Sequence, residues 1–237
     1  MSQIPIKGVI FDLGDVLFKW SRSTKTALTA ETMKMILSSP PWFEYECGRI
    51  SRSVCYDQVA ELFHVDVTQV AEAFSQARAS LQPDPAVVSF LRNLKQRSPI
   101  KIYAMSNVSK EDFSALSEKM DPCLFERVFT SGAQGMRKPD PRFYQLVLNE
   151  IKLPSDQVIF VDDNFENVAA ANRMGIRGFI YDDSTLTILH DILFGPVARG
   201  YQYLYQSDRC FDSITDTGVA VGDNFAKLLI LEATKDL

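Results

Sequence analysis

The sequence predicts an α/β fold with a parallel central sheet, and three features carry the prediction. Short, largely apolar runs stand at 9–11, 100–105, 158–161 and 178–181, each bounded by turn or polar residues. Runs of that kind read as strands buried on both faces. Helical patterns fill the intervals, and strands alternating with helices of this length indicate a parallel sheet. Carboxylates also follow directly on two of the runs, Asp12 after the first and Asp162-Asp163 after the third. Open α/β sheets bind ligands at the carboxyl ends of their strands. An unpaired charge buried there is costly, and a metal ion beside it resolves the cost.

Taken in order, Val9-Ile10-Phe11 runs into Asp12 and the turn Leu13-Gly14-Asp15. Residues 19–97 then read as helical. Thr29 is placed to cap a helix with Glu31 in its first turn. Val59, Leu62 and Phe63 repeat at helical spacing, as do Val70, Phe74 and Ala77. Pro40-Pro41 and Pro83-Asp84-Pro85 punctuate the segment, and Pro85 suits the first turn of a helix over 86–96. No strand pattern interrupts it, so an all-helical insertion is expected above the sheet's carboxyl edge. The strand 100–105 ends in Ser106-Asn107, and a helix follows to residue 119. A weaker strand, 125–129, precedes a loop over 131–141 rich in glycine and proline, then a helix over 143–149. The strand 158–161 leads through Asp162-Asp163 to a helix over 167–174 closed by Gly175, and 178–181 is the last strand. The boundaries that follow are a core of 1–18 and 98–195, a helical cap of 19–97, and a linker-like C-terminal helical extension of 196–237.

Composition narrows the function. In 237 residues, 46% hydrophobic and 23% charged, the net charge of −5 argues against a nucleic-acid surface. Cys47, Cys55, Cys123 and Cys210 form no CxxC pair and have no histidine at metal spacing, as expected of reduced thiols in a cytoplasmic protein. Only His64 and His190 are present, which disfavours histidine-centred catalysis. No signal peptide is visible, and no apolar stretch approaches the roughly 18 residues needed to cross a bilayer.

Four polar sites then stand at strand ends or in the loops after them: Asp12, Ser106, Lys138 and Asp162-Asp163. Singly, each has an ordinary structural role. Asp12 can cap a loop, Ser106 a helix N-terminus, Lys138 can be solvated, and the Asp pair can cap the next helix. Together, in this order and in this relation to strands, they resemble the haloacid dehalogenase (HAD) superfamily over residues 4–195. Val9-Ile10-Phe11-Asp12 matches its nucleophile strand and Met105-Ser106-Asn107 its phosphate-binding motif. Arg137-Lys138-Pro139-Asp140-Pro141 matches the lysine motif, and Phe160-Val161-Asp162-Asp163 the acidic metal motif.

The resemblance implies a HAD-like, Rossmann-type three-layer core with a helical cap inserted after the first strand. It implies an aspartyl-phosphate on Asp12, phosphate contacts from Ser106 and Asn107, and charge neutralisation by Lys138. It implies Mg²⁺ held by Asp12, the Gly14 carbonyl, Asp162 and Asp163, with Asp163 the more direct ligand and Asn167 an orienter. One position departs from the pattern. Most phosphatases of the family carry a general acid/base Asp where this chain has Gly14. Loss of a proton donor matters least when the leaving group is itself a phosphate, so Gly14 points to a diphosphate substrate, another base, or a lost activity.

A narrower resemblance lies in the tail. Ser213-Ile214-Thr215-Asp216-Thr217-Gly218-Val219 and 223–233, with 12–21, are similar to the HAD-type N-terminal domains of drimane sesquiterpene synthases and to stand-alone phosphatases of the same pathways. In the two-domain enzymes a separate helical domain cyclises farnesyl diphosphate through a DxDTT motif that Thr215-Asp216-Thr217-Gly218 does not supply. The resemblance implies a drimanyl or farnesyl diphosphate substrate, with a terpene cyclase as partner or as a further C-terminal domain. Trp20, Trp42, Phe43, Tyr45 and Tyr56 are candidates to line an apolar chamber in the cap, with ordinary cap core as the alternative. Asp162-Asp163-Asn164-Phe165-Glu166 also fits the DDxxE pattern of ionising terpene cyclases. Its place after a strand favours the HAD metal loop, with Glu166 a further metal or diphosphate contact. The apolar run 228–231 is expected to cover a core or a neighbouring domain. Competing readings are a weak scaffold domain docking a cyclase, a general small-metabolite phosphatase, and a metal-free haloacid dehalogenase.

Overall fold

A computed structural model describes residues 4–195 apart from Arg22. The C-terminal extension, with Cys210, the Thr215 motif and the 228–231 run, lies outside the described residues. The first strand, β1 (Gly8–Phe11), is wholly buried and forms the centre of the sheet. It pairs in parallel with β4 (Lys101–Ser106) on one side and β6 (Val158–Asp162) on the other. Strands β5 (Arg127–Thr130) and β7 (Arg177–Ile180) complete a five-stranded order β5-β4-β1-β6-β7 among the described residues.

Alternate side chains on these strands point to opposite faces, and each face meets its own helices. Val9, Phe11, Ile102, Ala104, Ile159 and Val161 share one apolar cluster with α5 (Pro85–Arg97) and α10 (Thr185–Phe194). Ile10, Tyr103, Met105, Val158 and Phe160 pack on α8 (Pro141–Ile151) and α9 (Phe165–Arg173). The three-layer α/β core is therefore present as expected.

The insertion between β1 and β4 contains α1 (Ala30–Leu37), α2 (Pro40–Glu46), α3 (Arg52–Phe63) and α4 (Val67–Ser80). These bury a cluster of their own that includes Met33, Ile36, Trp42, Tyr45, Tyr56, Val59 and Phe74. Thr29 caps α1, its side chain accepting from the Thr32 amide. Two features differ from the sequence reading. The chain enters and leaves the cap through an antiparallel pair, β2 (Phe18–Lys19) with β3 (Gln82–Pro83). Each is two residues long, too short to leave a periodic signal. Helix α5, assigned to the cap by sequence, instead buries Val87, Phe90, Leu91 and Leu94 against the sheet. Its Asp84 cap and Pro85 start are as expected.

Candidate active site

The register of the central strands builds the site. Phe11 lies opposite Val161, and the Asp12 amide donates to the Val161 carbonyl at 2.8 Å, so β1 and β6 end side by side. Their next side chains, Asp12 and Asp162, are both buried. Lys138 reaches between them from the loop after α7 (Ser131–Gln134). Its ammonium lies 2.9 Å from Asp12 Oδ1 and 2.6 Å from Asp162 Oδ2, and it donates to the Met105 carbonyl at 2.8 Å. Only 1% of Lys138 is exposed, so the sequence alternative of a solvated lysine is overturned. A fully buried ammonium is tolerated because every donor direction meets an oxygen.

The surrounding groups hold these three in place. Asn107 donates to the Lys138 carbonyl at 2.9 Å and accepts from its amide at 2.8 Å. Both ends of the Asn107 side chain are thus engaged with the lysine loop, and its observed contacts are those of an orienter rather than of a phosphate ligand. Asn167 donates to both Asp162 oxygens at 3.0 and 3.2 Å, and the Asn164 amide donates to Oδ1 at 2.9 Å. Asp162 is therefore oriented by protein donors, whereas its neighbour Asp163 is exposed. Burial pushes the Asp12 carboxyl up to about 7, reinforced by Asp162 and opposed by Lys138 and a hydrogen bond from Ser106. Asp163 is also raised, by partial loss of hydration beside the site and then by the charges of Asp162 and Asp15. Lys138 moves up, because Asp12 and Asp162 outweigh the burial that works against its charge.

Asp12, Asp162 and Asp163 each present a carboxylate oxygen, all within 4.8 Å of one another. Three carboxylates against one ammonium leave surplus negative charge in an all-oxygen donor set, which fits a hard divalent cation such as Mg²⁺. Glu166 is exposed in the first turn of α9 and lies outside this cluster. Gly14 is half-buried, and no non-adjacent atom lies within 4 Å of where a Cβ would stand. The apolar-chamber residues divide. Trp42, Tyr45 and Tyr56 are cap core: Trp42 packs on Phe74 at 4.5 Å and donates to Glu46, and the Tyr56 hydroxyl accepts from Arg78. The expectation that Trp42 lines a substrate chamber is thereby corrected, since the helices of the cap need it to fill their own interior. Trp20 is half-buried with its indole N–H 3.4 Å from Asp15, and Phe43 is half-buried beneath Arg137. Sequence reasoning missed Glu46 and Ser131, which join the cap to the lysine loop; neither belongs to a motif or a periodic face that could have singled it out.

A parallel sheet whose carboxyl edge presents a buried Asp–Lys–Asp array defines a Rossmann-like hydrolase. The chain belongs to the haloacid dehalogenase-like hydrolases, whose family model matches residues 6–175. Residues 197–237 match the C-terminal domain of astC-like sesquiterpene cyclases. The chain is 39% identical over 236 residues to drimenol cyclase drtB of Aspergillus calidoustus, covering 98% of this chain and 45% of that protein. It thus spans about half the length of that relative. It is 36% identical over 184 residues to sesquiterpene phosphatase astK of Aspergillus oryzae, covering 77% and 93% respectively. Among solved structures, a HAD family enzyme of Bacteroides thetaiotaomicron with magnesium and inorganic phosphate superposes with a TM-score of 0.59. It is 22% identical and covers 76% of this chain and 98% of its own. L-2-haloacid dehalogenase of Xanthobacter autotrophicus gives a TM-score of 0.57 at 20% identity, over 82% and 85%. At these identities the likeness extends to the fold alone. No described helix is long and apolar enough to cross a membrane.

Proposed function

We propose that this chain is a Mg²⁺-dependent phosphatase that hydrolyses a phosphate or diphosphate ester of a sesquiterpenoid, such as a drimanyl or farnesyl diphosphate. The observation that carries the reading is Lys138 held between Asp12 and Asp162 beside a third carboxylate, Asp163. Asp12 attacks phosphorus in line; its new P–O bond forms as the bond to the leaving oxygen breaks, and the electron pair leaves with that oxygen. Water then attacks phosphorus of the aspartyl-phosphate, releasing phosphate and restoring the Asp12 carboxylate. Lys138 offsets charge on Asp12 and the phosphoryl oxygens, and Ser106 donates to one of those oxygens. Asp163 and Asp12, with Asp162 and the Gly14 carbonyl, would hold Mg²⁺, which supplies Lewis-acid stabilisation of the phosphoryl group. The terpenoid substrate rests on the likeness to a sesquiterpene phosphatase and a drimenol cyclase. Trp20, half-buried with its indole N–H 3.4 Å from Asp15, is the residue we assign to contact an apolar substrate group.

The test is to incubate the protein with farnesyl diphosphate, a drimanyl diphosphate and small sugar phosphates, with and without Mg²⁺, following phosphate and extracted alcohol. Metal-dependent release from the prenyl substrates is expected. Release from sugar phosphates alone points to general metabolism, and chelator-resistant dehalogenation of a 2-haloacid would replace the phosphatase reading altogether. A second reading is motivated by the match of residues 197–237 to a cyclase domain. In it the chain is a weak HAD-like scaffold working joined to, or docked on, a terpene cyclase. Failure of every phosphate substrate together with measurable association with such a cyclase would favour it.

A further inference from the structure

Resting on that phosphatase reading, we propose that Glu46, at the end of cap helix α2, is a positioning residue that sets Lys138 through Arg137. The last turn of α2 meets the lysine loop at several points. The Glu46 carboxylate accepts from Arg137 Nε at 2.9 Å and from the Trp42 indole at 3.2 Å. The Arg137 guanidinium carbon lies over Phe43, 3.8 Å from its ring centre, so the cation is held from two sides by one cap helix. The Glu46 carbonyl accepts from Ser131 Oγ at 2.7 Å, and that hydroxyl in turn accepts from the Val108 amide at 2.9 Å. Arg49, just past the helix, donates to the Gly135 carbonyl at 3.0 Å. The cap therefore grips the lysine loop at Ser131, Gly135 and Arg137, while Asn107 grips it at Lys138.

Arg137 is joined to Lys138 by one peptide bond, and Lys138 has no slack: three acceptors lie within 2.9 Å of its ammonium. A shift of Arg137 on loss of its partner is transmitted to that ammonium. Glu46 and Arg137 side chains are 13% and 25% exposed, so the pair is shielded enough for its geometry to matter. The seated position of the cap thereby completes the charge array.

The test compares wild type, Glu46→Gln, Arg137→Gln and the double variant in two measurements. The first is kcat and KM on the prenyl diphosphate with Mg²⁺. The second is hydrogen exchange of the amides of 131–138 relative to those of β1 and β6. Each single variant is expected to lower kcat by about 10- to 100-fold, as small misplacements of a charge-neutralising group do, with KM little changed. The double variant should be no worse than either single one. Exchange at 131–138 should quicken in Glu46→Gln while the strands stay protected. Unchanged kcat in the folded variants, strictly additive losses, or exchange that quickens everywhere would overturn the proposal. If wild type itself turns over no phosphate substrate, the phosphatase reading fails and the exchange comparison alone decides whether Glu46 holds the loop.

Discussion

At the scale of single residues, the site is an electrostatic imbalance held in a rigid frame. Asp12, Asp162 and Lys138 are all buried, so two carboxylates share one ammonium. The Asp12 carboxyl, near 3.8 in an unstructured chain, is pushed up to about 7 by burial. A raised acid binds its proton more tightly in the folded state. The metal-free protein therefore loses stability as pH rises from about 4 to about 7. Asp12→Asn removes that effect along with the nucleophile. It should abolish turnover yet raise the melting temperature of the metal-free protein above pH 7, with the gain vanishing below pH 4. An unchanged or lower melting temperature at pH 8 would contradict the imbalance, and retained turnover would contradict the aspartyl-phosphate route. Gly14 gives a second prediction. The space beside it admits a side chain, so Gly14→Asp should fold and supply a proton donor. Alkoxide leaving groups gain from such a donor by up to roughly 10²–10⁴-fold. Phosphomonoester turnover should rise relative to diphosphate turnover, and an unaltered ratio would remove Gly14 from the account of substrate choice.

At the scale of elements, the loops that meet at the site are fixed by close backbone approach. Gly132, in α7, lies so near the start of α6 (Lys110–Ser117) that a Cβ would stand 2.5 Å from the Lys110 nitrogen and 2.8 Å from the Ser109 carbonyl carbon. Neither contact is with a flexible side chain, so the backbones must separate. Gly132→Ala should destabilise the protein by several kcal/mol, of the order of overpacked cores at about 1–3 kcal/mol or more. Activity should fall with it, because Ser131 and Lys138 flank the displaced turn; a denaturant midpoint within error of wild type would refute this. The elements themselves were largely legible in the sequence, because β1, β4 and β6 are buried on both faces and so read as plain apolar runs. Helix α5 was misassigned for a physical reason. Periodicity shows that Val87, Phe90, Leu91 and Leu94 form one face, but not whether that face meets the cap or the sheet. The same limit applies to Trp42, whose indole the sequence could place in the cap but not inside its core.

At the scale of the whole molecule, residues far apart in sequence become a site only through the strand order. Asp12 and Asp162 are adjacent because β6 returns to the free side of β1 after β4 and β5 have been laid on the other. The four motifs named the residues that converge. Their distances, the orientation of Asp162 by Asn167 and Asn164, and the coupling of cap to lysine loop depend on tertiary packing that no motif encodes. Because the carboxylates come together only in the folded chain, a bound divalent cation should stabilise the entire fold. A ligand at about 100 times its dissociation constant contributes roughly 2.7 kcal/mol. For a chain of this length that corresponds to a rise in melting temperature of about 5–10 °C. Protons compete with the metal at Asp12 and Asp163, both of which hold them more tightly than ordinary carboxyls. The Mg²⁺-induced shift should therefore be small at pH 5.5, grow through about pH 7 and level off above it. Asp163→Asn should diminish it at every pH while leaving the metal-free melting temperature little changed or higher. A shift that is independent of pH, or undiminished in that variant, would place the cation elsewhere on the protein.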